Sequence, residues 1–350
     1  MTQQLPSRES PFELLRILAQ LFIVYYHILL NVVFPATGDP LYRALWLPLH
    51  IGVPLFVLLS GYFGIKPSVR GLVRLLGTMF VIHIPLSLCQ ITFAEGGEIF
   101  HDAVVAGLFV SATPFWFMRT YLCLYLISPV INLFLSHSNT KQRLALLCVL
   151  AFISHYLGSA GFDPSLAGGK NLVTFLFLYA AGDTLCRYRS RWQPLHRTCG
   201  RCWCGLNIGL VLLFTFWTSR TADALYSRVW FSYCSFGLLV NALLFFVWIG
   251  GLRFHSPRIN RIARSSLAIY LIHGAPFVAL HVIEPFVQRF ICPIPHRSLL
   301  LGAVLLMTLG IVAACVAIDH LLSPVWRRID RLGMRLQTRW NRLNCTYFTH

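Results

Sequence analysis

Ten apolar windows alternate with short polar connections along the chain, at about 12–34, 47–65, 72–93, 114–135, 143–160, 172–187, 205–219, 230–250, 266–288 and 299–318. Each is near the length a helix needs to cross a bilayer core. The pattern predicts an all-α polytopic membrane protein with about ten transmembrane helices. It breaks in one place. Residues 13–31, ELLRILAQLFIVYYHILLN, carry Glu13, Arg16, Gln20, His27 and Asn31 on an otherwise apolar run. At about 100° per residue, Arg16 and His27 share a face roughly 16 Å apart along the axis. Gln20 and Asn31 fall near that face, and Glu13 precedes Arg16 by one turn, where the two can pair. Ionisable groups at this depth cost roughly 2.5–3.5 kcal/mol each and usually face an interior cavity. A stripe that only holds helices together is the plainer alternative, but an arginine and a histidine in register favour a site.

Charge orients the windows. Only 12% of residues are charged, against 57% hydrophobic; a soluble domain carries about twice that charge. Of the 29 Lys and Arg, 21 fall in the N-terminal segment, alternate connections and the C-terminal tail, six in the other connections, and Arg16 and Arg119 inside windows. The positive-inside rule then places both termini in the cytoplasm. It also accounts for the net charge of +17 without a nucleic-acid partner, for which no reading module is present. The first apolar run is too long for a cleavable signal peptide. Residues 1–325 are expected to form the membrane domain and 326–350 a basic cytoplasmic tail. The cluster HRTCGRCWC, with His196, Cys199, Cys202 and Cys204, lacks the two separated pairs of a zinc site, so no metal is expected.

Three further stretches carry candidate chemistry. In PLFVLLSGYFGIKPSVRGLVR, residues 54–74, Ser60 and Tyr62 supply hydroxyls and Gly61 allows close backbone approach. Arg70 and Arg74 then stand one helical turn apart, a fork suited to a polyphosphate; anchoring to the cytoplasmic leaflet is the alternative. In TPFWFMRTYLCLYLISPVIN, Trp116 suits an interfacial belt, and Arg119, about two turns below the outer surface, calls for an anion or a polar ligand unless it snorkels. In SSLAIYLIHG, Tyr270 and His273 share a face, where a lone histidine is more often structural.

Taken together, Arg16 and His27 with ten residues between them, PLFVLLSGYF and the basic pair after it, WF…YL..P around Trp116, Tyr125 and Pro129, and SSLAIYLIH resemble the acyltransferase-3 family over residues 10–320. The basic pair stands one residue wider here than the Arg-x-x-Arg usual in that family. The resemblance implies an integral-membrane O-acetyltransferase of the bacterial inner membrane. Acetyl-CoA would be the cytoplasmic donor, and a surface polysaccharide or its lipid-linked precursor (O-antigen, capsule or enterobacterial common antigen) the acceptor. It also implies His27 as the catalytic base or acetyl carrier, Arg16 and Glu13 beside it, and Ser60, Tyr62, Arg70 and Arg74 on the donor. Trp116, Arg119 and Tyr125 would face the acceptor. A glycolipid exporter or flippase without acyl transfer, and a non-catalytic scaffold, are the competing classes.

Overall fold

A computed structural model of the chain describes residues 9–93, 115–158, 165–218 and 232–347. The ends of four apolar windows, at 114, 159–160, 219 and 230–231, lie outside them, as do Arg8, Arg220 and Arg228 of the charge count. The described residues are helical, with no strand among them. Twelve helices are used below: α1 Ser10–Thr37, α2 Pro40–Phe63, α3 Val69–Phe93, α4 Trp116–His137, α5 Thr140–Ala151, α6 Leu172–Arg187, α7 His196–Thr218, α8 Phe236–Gly250, α9 Pro257–His273, α10 Pro276–Phe290, α11 Arg297–Leu321 and α12 Ser323–Tyr347.

Within the described residues each apolar window falls largely on helix, but not every helix spans a bilayer by itself. Among the described residues six apolar stretches are long enough to cross a membrane, or seven if the bent pair α9–α10 counts as one. The window 266–288 is broken in this way. Ala275 is extended before Pro276, because proline removes a helical N–H and pushes its predecessor out of the helical region. The two halves meet at 72°, with His273 the last residue of the first. The outer faces suit lipid: α11 is the most apolar span, yet only 28% of its apolar stretch is buried, and Leu299, Leu306 and Leu321 are exposed. Water would not tolerate such a face; hydrocarbon does.

α1 stands between two apolar clusters. Phe12, Leu15, Ala19 and Ile23 pack with α2, α6 and α8. Val24, Ile28, Leu29 and Val32 pack with α9 and α11. The polar stripe lies in the seam. Gln20 Nε2 donates to the Ser266 carbonyl of α9 at 2.7 Å, and Tyr25 Oη to the Leu301 carbonyl of α11 at 3.1 Å. After His27 the helix widens into a π-helical turn, Leu29–Val33, a feature common at functional sites; a second, Ala279–Ile283, lies in α10. At the opposite end Glu9 takes both guanidinium nitrogens of Arg189, at 2.9 and 2.6 Å. Arg143, buried at the start of α5, pairs with Asp183 of α6 and donates to the Leu135 carbonyl at 2.6 Å. α12 lies along α3, with Ile329 against Gly77 and Gly333 against Arg70; it begins before residue 326, where composition alone puts the tail.

α2 and α6 approach each other closely, so that a Cβ at Gly61 would meet the Tyr179 carbonyl and one at Gly182 the Leu58 carbonyl. Small residues permit this approach in membranes. Alanine at either position should destabilise the detergent-solubilised protein by about 1–3 kcal/mol. Gly302→Ala, which points into open space, should not. Thermal unfolding of the three variants provides the comparison.

Candidate active site

Three cavities adjoin one another, and α1 lines the second and third of them. The first, of about 430 Å³, is basic: Arg74, Arg261 and Arg264 line it, with Tyr125, Asp319 and Trp326. The second, of about 310 Å³, holds Arg16, Gln20, Ser60 and Tyr121. The third, of about 750 Å³, contains His27, His50, His273, Trp116, Lys170 and Glu284. Neighbouring cavities share walls. Leu75, Tyr121, Arg264 and Leu267 belong to the first two; Ile23, Val53, Phe117 and Tyr270 belong to the second and third.

From Arg16 onwards the stripe on α1 therefore faces cavity, but Arg16 and His27 do not face the same one. Arg16 lies 3.4 Å from both oxygens of Glu13 and 5.7 Å from the Phe63 ring centroid. Gln20 spends its amide on Ser266 and keeps a buried Oε1 without a hydrogen-bond partner, an acceptor beside the second cavity. His27 and Asn31 line the third, Asn31 on the π-turn. The His27 ring stands 4.4 Å from Tyr26 and 5.4 Å from His273.

The other expected site residues divide. Ser60 lines the second cavity, donates to the Phe56 carbonyl at 2.9 Å and stands 3.4 Å from Tyr121 Oη. Tyr62 lines none of the three. It is buried in the apolar core, 4.5 Å from Phe12 and 5.6 Å from Phe246. Arg74 lines the basic cavity and pairs with Asp330 of α12 at 3.5 Å; Arg70 lies outside it, 3.9 Å from the same carboxylate. Trp116 lines the histidine cavity, its ring under Lys170 Nζ at 5.5 Å. Arg119 is exposed and lines no cavity, because Phe117, Met118 and Tyr121 take the inward face of α4 and residue 119 is turned about 100° from Met118. Tyr125, grouped with Trp116 by sequence, sits at the other end of the path. Its hydroxyl accepts from the Ser68 N–H at 2.9 Å and donates to the Ser68 carbonyl at 3.1 Å, fixing the turn that starts α3.

Sequence reasoning missed several wall residues. Arg261 and Arg264 counted only as loop charges. Tyr121 had a signal, the i, i+4, i+8 face it shares with Phe117 and Tyr125. His50 had none, since it lies at a break in α2. Its Nδ1 accepts from Trp46 Nε1 at 2.8 Å, and its ring stacks on Tyr233 at 4.2 Å. Gly168 and Gly169, both at positive φ, turn the chain so that Lys170 reaches Trp116. Residues 159–164 of the same turn-rich loop lie outside the described residues. Among the described residues no cluster of three His, Cys, Asp or Glu side chains is arranged to hold a metal.

Adjoining cavities lined by polar groups inside apolar helices are places where two reactants can meet away from bulk water. The family profile described as an acyltransferase domain matches residues 11–320. The chain belongs to the acyltransferase-3 family, and is a multi-pass membrane acyltransferase. No curated protein and no solved structure matches it significantly.

If the three cavities act as one path, closing a shared wall should stop transfer without unfolding the chain. Ile23→Trp, at the boundary of the second and third cavities, should lower acyl transfer per inserted protein by about 10²-fold, the cost of an ångström-scale misplacement. Transfer measured against membrane-inserted protein gives the ratio.

Proposed function

We propose that the protein moves an acetyl group from cytoplasmic acetyl-CoA to a hydroxyl of a surface polysaccharide or its lipid-linked precursor, across the bacterial inner membrane. The observation that carries this reading is the series of shared-wall cavities from Arg74 and Arg264 to His27. In the proposed orientation, with ten spans and both termini in the cytoplasm, the basic cavity opens inward. Guanidinium groups suit the phosphates of coenzyme A. The pantetheine arm would lie along Arg16, Gln20 and Ser60, bringing the thioester towards His27. The histidine cavity, with Trp116 and Lys170 at its wall, would take the acceptor.

The chemistry follows from the groups present. His27 takes the proton of the acceptor hydroxyl as its oxygen attacks the thioester carbonyl carbon. The C–S bond breaks, its electron pair goes to sulfur, and the proton returns there to give free thiol. Imidazole suits both transfers because its ordinary pKa lies near neutrality. An acetyl-imidazole on His27 is the covalent variant of the same role. Arg16, held by Glu13, would steer the donor.

His27→Gln should keep the protein inserted and reduce glycan acetylation about 10²–10⁴-fold. Mass spectrometry of surface glycans, normalised to membrane-inserted protein, reads this out. Wild-type acetylation would remove the catalytic assignment and favour an exporter.

The donor end has its own test. Arg74→Ala should raise the KM for acetyl-CoA with little change in kcat. Arg74→Lys should recover only part of the loss, because a point charge lacks the guanidinium fork. An unchanged KM in Arg74→Ala would take this turn out of the donor site.

A further inference from the structure

His273 ends the first half of the broken pair α9–α10. Its Nδ1 lies 2.6 Å from the Ile269 carbonyl. A carbonyl only accepts, so Nδ1 carries the hydrogen and neutral Nε2 is a bare acceptor. That Nε2 is buried and has no hydrogen-bond partner among the described residues, while the ring lines the same cavity as His27 and stands 5.4 Å from it. An unpartnered buried acceptor is costly, so this atom is suited to a donor that arrives during the reaction. With the ring centroids 5.4 Å apart, a hydroxyl or water at the ring edges can bridge the two imidazoles. Helix breaks at membrane depth are tolerated where they line a cavity, and this one sets His273 at the cavity wall, one turn after Tyr270, which borders the donor-side cavity as well.

We propose that His273 is a proton-relay residue: its Nε2 receives, through the bridging group, the proton that His27 takes from the acceptor, and returns it towards the departing sulfur. This rests on the acetyl-transfer reading. In the balanced step, the hydroxyl O–H breaks and its proton goes to His27. The O–C bond forms, the C–S bond breaks, and the electron pair goes to sulfur. The proton passes from His27 to His273 Nε2 and then to sulfur, which leaves as the thiol. No net charge or electron is gained. The other titratable groups on this wall are Tyr26, His50, Lys170, Tyr233, Tyr270 and Glu284; the Tyr26 ring stands 4.4 Å from His27 and the Tyr270 ring 6.4 Å from His273.

The test uses the full-length protein in membranes. His273→Phe keeps ring bulk and removes both nitrogens; acetyl transfer per inserted protein should fall about 10²-fold with the KM for acetyl-CoA within about twofold. His273→Ala should be equally slow and regain about 10-fold on addition of free imidazole, and its pH–rate profile should lose one limb. A merely structural histidine would give neither rescue nor a changed profile, and that result overturns the relay. Should both variants fail to insert, diethyl pyrocarbonate on the wild-type protein decides: His273 should be modified at Nε2 in the peptide map, and its inertness under conditions that label His27 overturns the proposal. Activity lost in His27→Gln but kept in His273→Phe sinks the relay alone. Activity kept in both sinks the acetyl-transfer reading with it.

Discussion

The rest of the structure depends on how one helix keeps an arginine, a glutamine and a histidine inside an apolar bundle. Hydrocarbon offers these groups nothing to bond, so each must find protein or open space. α1 meets that demand by standing in a seam. Its two apolar flanks engage different clusters, and the strip between them is left to cavity. Arg16 is held by Glu13 and Gln20 by the Ser266 carbonyl; the remainder of the stripe faces the path itself. A tighter bundle would have buried these groups against apolar neighbours, at a cost no helix packing offsets.

The backbone serves the same end. The π-turn after His27, the π-turn of α10 and the break before Pro276 all border the histidine cavity. Each opens the local helix and frees space or an acceptor where regular helices would close up. Elsewhere the packing is tight, as at Gly61 and Gly182. The helices are thus closely packed between α2 and α6 and irregular around the histidine cavity.

The helical class and the stripe on α1 were legible because both are periodic, and periodicity is what a sequence displays most directly. The break in α9–α10 was visible only as Gly274 and Pro276 inside an apolar run, which a window average conceals. Side-chain direction was the weaker reading. Arg119 and Tyr125 share a helix with Trp116, but rotation sends Arg119 outward and axial rise carries Tyr125 to the basic end. Tyr62 follows Ser60 by two residues and so turns from the cavity into the core. His50 and Lys170 come from a kinked segment and a glycine turn, where no period operates, and only tertiary structure brings them to His27.

Asp330 has a consequence for the basic end. It is the one acidic side chain on α12, and it already lies near Arg70 and Arg74. Any anion that reaches those guanidinium groups meets a resident carboxylate and must share or displace it. Binding there is ion exchange, in which the newcomer replaces one counter-charge with another. Against that resident carboxylate, a ligand presenting several phosphates at once would compete better than a single phosphate or headgroup.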